Sequence, residues 1–137
     1  MVTRRAFVAG STALLGAGLV LPRAANAAKL DWPAFDWMPF EAAHASAIPV
    51  VVAVHAEGHA ASRAQEPVLM DVIAEPQYMA YVRFRLDFDS QWDAANKLNV
   101  KQAGTIVAYL CDEEMARVVG DADPQLIRKL FAKVDGA

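Results

Sequence analysis

Cysteine is almost absent from this 137-residue chain, which contains one, Cys111. A single cysteine excludes an intrachain disulfide, so the fold must be held together by packing alone. It also excludes redox chemistry that needs two thiols on one helical turn. The Cys111 thiol can still form a disulfide with another molecule, and a dimer linked through Cys111 is one such arrangement.

Acidic residues are absent from the first 27 positions, which have the three parts of a secretory signal in order. A charged start (residues 3–7) is followed by an apolar run (residues 8–21) and by the small-residue cleavage site Ala25-Asn26-Ala27. The pair Arg4-Arg5 with Phe7 is typical of a twin-arginine signal peptide. The apolar run is shorter than the roughly 20 residues that span a bilayer. We therefore expect residues 1–27 to direct the protein to the periplasm, with membrane attachment only if they are not cleaved.

Basic residues are in the minority after this segment. Three of the 13 basic residues lie within it, and the remaining 10 face 16 acidic residues, a formal charge of −6 for residues 28–137. Binding to nucleic acid requires a basic surface, so we expect no nucleic-acid partner. The length of this part is that of one small domain.

Aromatic residues and proline are concentrated in residues 28–39, which we call the entry segment. Its composition predicts an extended stretch that lays Trp32, Phe35 and Trp37 onto a surface. We expect these rings to cover a hydrophobic sheet; an aromatic platform for a ligand is the alternative.

Hydrophobic periodicity predicts the order of helices and strands in residues 40–137. A helix at 40–47 precedes a buried strand at 48–54, and a helix at 60–74 contains Pro67, which should bend it. A strand at 81–88 and a helix at 90–98, capped by Ser90, come next. Strands at 105–110 and 115–119 form a hairpin, and Asp123-Pro124 starts the last helix, with Leu126, Ile127, Leu130 and Phe131 at helical spacing. The first two strands should be parallel and the hairpin antiparallel.

Several landmarks along residues 40–134 resemble a bacterial exported thioredoxin-like domain. Ala56-Glu57 follows the buried strand, a basic residue stands at Arg63, and Pro67 lies at the family's helix kink. The stretches 82–89 and 114–120 resemble two of the family's strands, the latter closing on a glycine. The resemblance implies an α/β thioredoxin fold, with a central mixed sheet flanked by helices on both faces.

The departures from the family pattern all lie on the catalytic surface. His59 and Ser62 occupy the two cysteine positions, and Gly58 replaces the neighbouring tryptophan. Ala103-Gly104-Thr105 stands where thioredoxins have a cis-proline followed by threonine, and Ala53 takes the place of their buried aspartate. The nucleophile, the resolving thiol, the proton relay and the substrate clamp are therefore all changed.

We expect a redox-inactive binding or chaperone-like module with an unidentified protein or peptide partner and no cofactor. The candidate surface is the former active site, formed by Gly58, His59, Ala60, Ala61, Ser62, Gly104 and Thr105. One alternative is a metal-binding module using His55 and His59, with His44 approaching from the preceding helix, because imidazole suits zinc or copper. We expect His55 to end its strand as a hydrogen-bonded residue instead.

A second alternative is cysteine-independent catalysis by His59 and Ser62, three residues apart on one helix. A serine nucleophile also needs an oriented base and an oxyanion site. A serine in the first helical turn more commonly bonds backbone groups, and this is what we expect of Ser62.

Overall fold

A computed structural model describes residues 30–135. In chain order the elements are α1 Trp37–His44, β1 Val50–His55, α2 Ala60–Ile73, a 3₁₀ turn Pro76–Tyr78, β2 Val82–Asp87, α3 Trp92–Lys97, β3 Thr105–Leu110, β4 Glu113–Val119 and α4 Pro124–Val134. None of the helices in this part of the chain is long and apolar enough to cross a membrane. The signal peptide and cleavage site predicted in residues 1–27 lie outside the described residues.

The four strands form one mixed sheet in the order β2-β1-β3-β4. β1 runs parallel to β2, with Val50 opposite Val82, and antiparallel to β3, with Val54 opposite Thr105. β3 and β4 are antiparallel. This arrangement confirms the predicted parallel pair and hairpin, and it leaves β2 and β4 at the two edges.

β1 is buried along its whole length, because helices pack on both faces of the sheet. Val51 and Ala53 point to the core that contains residues of α2 and α4, whereas Val50, Val52 and Val54 point to the core beside α1 and α3. Apolar side chains at the five successive positions 50–54 are the pattern of a strand covered on both faces.

The entry segment passes along the β2 edge of the sheet and contributes to both cores. Leu30 and Trp32 are buried in the core beside α2 and α4, and Phe35 in the core beside α1 and α3. Ala34 forms an isolated parallel bridge with Arg85 of β2. The aromatic cover is thus as predicted, but the extended stretch is shorter. α1 begins at Trp37 because the Asp36 carboxylate accepts a hydrogen bond from the N–H of Met38.

Helix starts depend on which side chain reaches the free N–H groups. Ser90 does not cap α3, contrary to the prediction: Ser90 donates its own N–H to the Asp87 carboxylate, and the helix begins at Trp92 after Gln91. Asp123 does cap α4, accepting from the N–H of Gln125. In α4, Ile127, Leu130 and Phe131 are buried as expected, while Leu126 is exposed. α2 continues through Pro67 as one helix.

The β3–β4 hairpin turns in two residues instead of the predicted four. Cys111 and Asp112 have φ values of +52° and +68°. Positive φ at both positions gives the turn that matches the twist of a hairpin. The turn places Cys111 at an exposed tip.

Candidate functional site

The site predicted from the sequence lies where β1 ends and α2 begins. Gly58 turns the chain with φ +76°, a conformation that glycine adopts without steric cost. His59 follows as the N-cap residue of α2, and its N–H donates to the carbonyl of Ala56 at 3.1 Å. His59 is half-buried, while Gly58 and Ala60 on either side of it are exposed.

His59 and Ser62 are close in space but do not form a catalytic pair. Nδ1 of His59 accepts a hydrogen bond from the Ser62 backbone N–H at 3.4 Å. The Ser62 hydroxyl is buried and lies 3.2 Å from the Ala56 carbonyl oxygen and 3.1 Å from that of His59. Both side chains therefore serve the helix start, and Ser62 bonds backbone as expected. This geometry holds the hydroxyl away from an attacking position, which disfavours the catalytic alternative.

Gly104 packs against this turn from the other side of the site. It has φ +82°, and a Cβ added there would lie 3.1 Å from Cβ of Ala61 and 3.3 Å from Cε1 of His59. Its N–H donates to the Val54 carbonyl at 2.8 Å. The following residue, Thr105, is buried and its hydroxyl donates to the Gln102 carbonyl. The backbone of Gly104 thus packs closely against Ala61 and His59, and Gly104 and Thr105 lie mostly beneath the surface.

Gln65 is a site residue that was not predicted. Its side chain is 2% exposed, and its amide nitrogen donates to the Gly104 carbonyl at 2.7 Å and to the Asp121 carbonyl at 2.8 Å. The Gly104 carbonyl also accepts from the N–H of Gly120 at 2.8 Å. One buried amide therefore fixes two loops against α2. Helical spacing could have indicated it, because Gln65 lies between Ser62 and Leu69 on the buried face.

A buried ionic cluster beneath the site was also not predicted. Oε2 of Glu66 lies 2.8 Å from Nδ1 of His55 and 3.3 Å from Nη2 of Arg85. Oε1 of Glu66 accepts from the N–H of Leu30 at 3.4 Å. His55 ends β1 as a buried residue, as expected, but its Nδ1 forms no hydrogen bond within residues 30–135, contrary to the expected hydrogen-bonded histidine. In the thioredoxins that the sequence resembles, a buried aspartate stands at the position of Ala53. Here that position is apolar, and the buried carboxylate belongs to Glu66 of α2.

The surroundings of His55 in this cluster lower the pKa of its imidazole. Burial lowers the pKa of the His55 imidazole, and the positive charge of Arg85 lowers it further, against the opposing charge of Glu66. His55 is therefore neutral at neutral pH, and its Nδ1 lies close to the Glu66 carboxylate without forming a hydrogen bond to it.

The three histidines considered as metal ligands do not converge. Nδ1 of His55 faces Glu66, and Nδ1 of His59 faces the first turn of α2. His44 stacks on Phe40 near the hairpin turn, where its carbonyl accepts from the N–H of Asp112, at the opposite end of β1. Within residues 30–135, no group of three or more His, Cys, Asp or Glu side chains is arranged to hold a metal ion.

The sequence matches no protein-family model and no curated protein, but solved structures are similar to it. Trxlp from Edwardsiella tarda EIB202 is 27% identical, with a TM-score of 0.70, over 74% of this chain and 98% of that one. The thioredoxin NaTrxh from Nicotiana alata is 23% identical, with a TM-score of 0.65, over 72% and 84% of the two chains. The thioredoxin of Malassezia sympodialis is 19% identical, with a TM-score of 0.66, over 74% and 89%. Together with the sheet order and the helices on both faces, these similarities show that the chain has the thioredoxin fold.

Proposed function

We propose that this protein is an exported thioredoxin-fold module without thiol–disulfide activity, which binds an extended peptide or protein segment through its former active-site surface. One observation carries the proposal. The two positions that hold cysteines in thioredoxins hold His59 and Ser62, and the polar atoms of both bond the backbone of the α2 start. The fold is kept while the groups that perform disulfide exchange are replaced.

The exposed part of this surface is better suited to contact with the backbone of a bound segment than to catalysis. Gly58 and Ala60 are exposed and have little or no side chain, so the backbone of a bound segment can approach closely there. Because Nδ1 of His59 accepts from the Ser62 N–H, Nε2 is the ring nitrogen that carries a hydrogen. His59 can then donate to a carbonyl oxygen of a bound segment.

The absence of redox activity is tested by insulin reduction with dithiothreitol as the electron source. We expect the full chain to give the rate of the uncatalysed reaction, because no thiolate is present at the site. Turnover at the rate of an ordinary thioredoxin would contradict this part of the proposal.

The binding role is tested with a permanently unfolded probe, reduced carboxymethylated α-lactalbumin, and a pair of matched substitutions. Ala60→Arg places a long side chain on the proposed surface, whereas Ala64→Arg places it one turn further along α2, on an equally exposed position. We expect binding by the wild type and by Ala64→Arg, and at least a tenfold loss in Ala60→Arg, equivalent to about 1.4 kcal/mol. Equal binding by both variants would place the interaction elsewhere.

A further inference from the structure

The outer edge of β2 has a gap in its backbone pairing. The N–H of Val82 donates inward to the Pro49 carbonyl at 3.0 Å, so β2 residues of even number face β1. Arg85 faces outward, and its N–H and carbonyl are bonded to Pro33 and Phe35 of the entry segment at 2.8 and 2.9 Å. Arg83 faces the same way. Among residues 30–135, nothing bonds its N–H or its carbonyl on that side.

A groove of about 980 Å³ lies against this gap. Its floor is the β2 edge at residues 82–84, one wall is the entry segment, and the other is the face of α1 that carries Pro39, Ala42 and Ala43. The lining is mainly apolar, and the small side chains of α1 leave room beside the strand. Outward backbone groups at the bottom of an open apolar groove are what an added β-strand requires.

The charged side chains that line the groove indicate which kind of segment it binds. Asp31 and Asp36 line the groove and are exposed. Among the lining residues within 30–135, Arg83 has the only basic side chain, and it donates to the carbonyl of Met79. A segment carrying lysine or arginine complements the two carboxylates. A second copy of the chain does not, because edge-to-edge pairing at this gap would bring Arg83 against Arg83, and like charges directly opposite are unfavourable.

We propose that this groove binds an extended segment of a partner protein, apolar at alternate residues and basic at its ends, as an additional strand beside Arg83. The groove lies next to the start of β2, whereas the former active-site surface lies past the end of β1. The two surfaces are therefore separate, and one can fail without the other.

The test uses the full chain and a synthetic peptide, acetyl-Lys-Val-Thr-Val-Thr-Val-Lys-amide. In the free protein we expect the Arg83 amide to exchange with solvent much faster than the Val82 amide, which is bonded inward. Saturating peptide should slow exchange at Arg83 at least tenfold. Protection of Arg83 without peptide, by residues 1–29 or by a second copy, would overturn the proposal, as would failure of the peptide to bind.

Two substitutions, each with a matched control, test where the peptide binds. Arg83→Pro removes the outward N–H, a change tolerated on edge strands, and should weaken binding about tenfold relative to Arg83→Ala, which keeps it. Ala42→Trp fills the groove without touching the backbone and should abolish binding, whereas Glu41→Trp, beside the lining, should not. Undiminished binding by Ala42→Trp refutes the assignment even if Arg83→Pro does not fold. Ala60→Arg should leave binding unchanged.

Discussion

Replacing Gln65 by leucine tests whether one buried amide holds the candidate surface in shape. The substitution removes two hydrogen bonds, to Gly104 at 2.7 Å and to Asp121 at 2.8 Å, while nearly keeping the side-chain volume. Each bond contributes about 1 kcal/mol net, so the free energy of unfolding should fall by about 2 kcal/mol. For a domain of this size, that corresponds to a fall in Tm of about 9 °C.

The loss should stay near this value because the carbonyls are not left without partners. The Gly104 carbonyl keeps its bond from the N–H of Gly120, and Asp121 is exposed to water. Urea denaturation gives the free energy, and an unchanged m-value would show that the unfolded state is unaffected. Gln125→Leu, at an exposed position of α4, is the matched control and should change stability by less than about 0.5 kcal/mol. If Gln65→Leu is no more destabilised than this control, the amide does not hold the loops.

Four further predictions concern other parts of the chain. Gly104→Ala should destabilise more than Gly58→Ala in thermal melts: both have positive φ, costing about 1–2 kcal/mol, but only the added Cβ at Gly104 meets neighbours, at 3.1 Å. Because the folded state lowers the pKa of His55, the unfolded state binds more protons as the pH falls through about 6.5, so urea-measured stability should drop between pH 8 and pH 5. His55→Gln should lose this part of the pH dependence, and an unchanged slope would reject the assignment. Tyr81→Phe removes a buried hydrogen bond of 2.9 Å to the Phe131 carbonyl and should cost about 1 kcal/mol in urea denaturation, whereas equal stability would mean that the bond contributes nothing. Changing Arg4 and Arg5 to lysine should leave the precursor in the cytoplasm on fractionation, and normal processing would exclude the twin-arginine route.

The parts of the fold that could be predicted from sequence are those fixed by local pattern. β1 has an apolar side chain at nearly every position, which fits only a strand covered on both faces. α4 starts at Asp123-Pro124 because capping and proline geometry act within one turn. The start of α3 could not be obtained in this way. Ser90 has the chemistry of a cap, but the Asp87 carboxylate accepts from the N–H groups of Asp89 and Ser90 and holds them in a turn, so α3 begins only at Trp92.

The candidate site likewise has features that could be predicted from the sequence and features that could not. The turn at Gly58 could be predicted because a glycine precedes a helix start, whereas the position of Gly104 beside it was implied only by the resemblance to thioredoxins. The roles of Gln65 and Glu66 depend on partners 39 and 36 residues away, Gly104 and Leu30, which no local pattern connects to them. Helical spacing places Gln65 on the buried face of α2, but long polar side chains on a helix are usually solvent-facing, and only the tertiary structure shows the partners of both residues.

The position of Cys111 has a consequence for how many binding surfaces one assembly can present. Gly104 stands at the start of β3 and Cys111 just after its end, about 20 Å away along a six-residue strand. A disulfide between two hairpin tips would therefore join two copies by the ends opposite to their former active-site surfaces. Such a dimer would hold two surfaces facing outward. A partner with two matching segments could then be bound with an avidity that neither surface has alone.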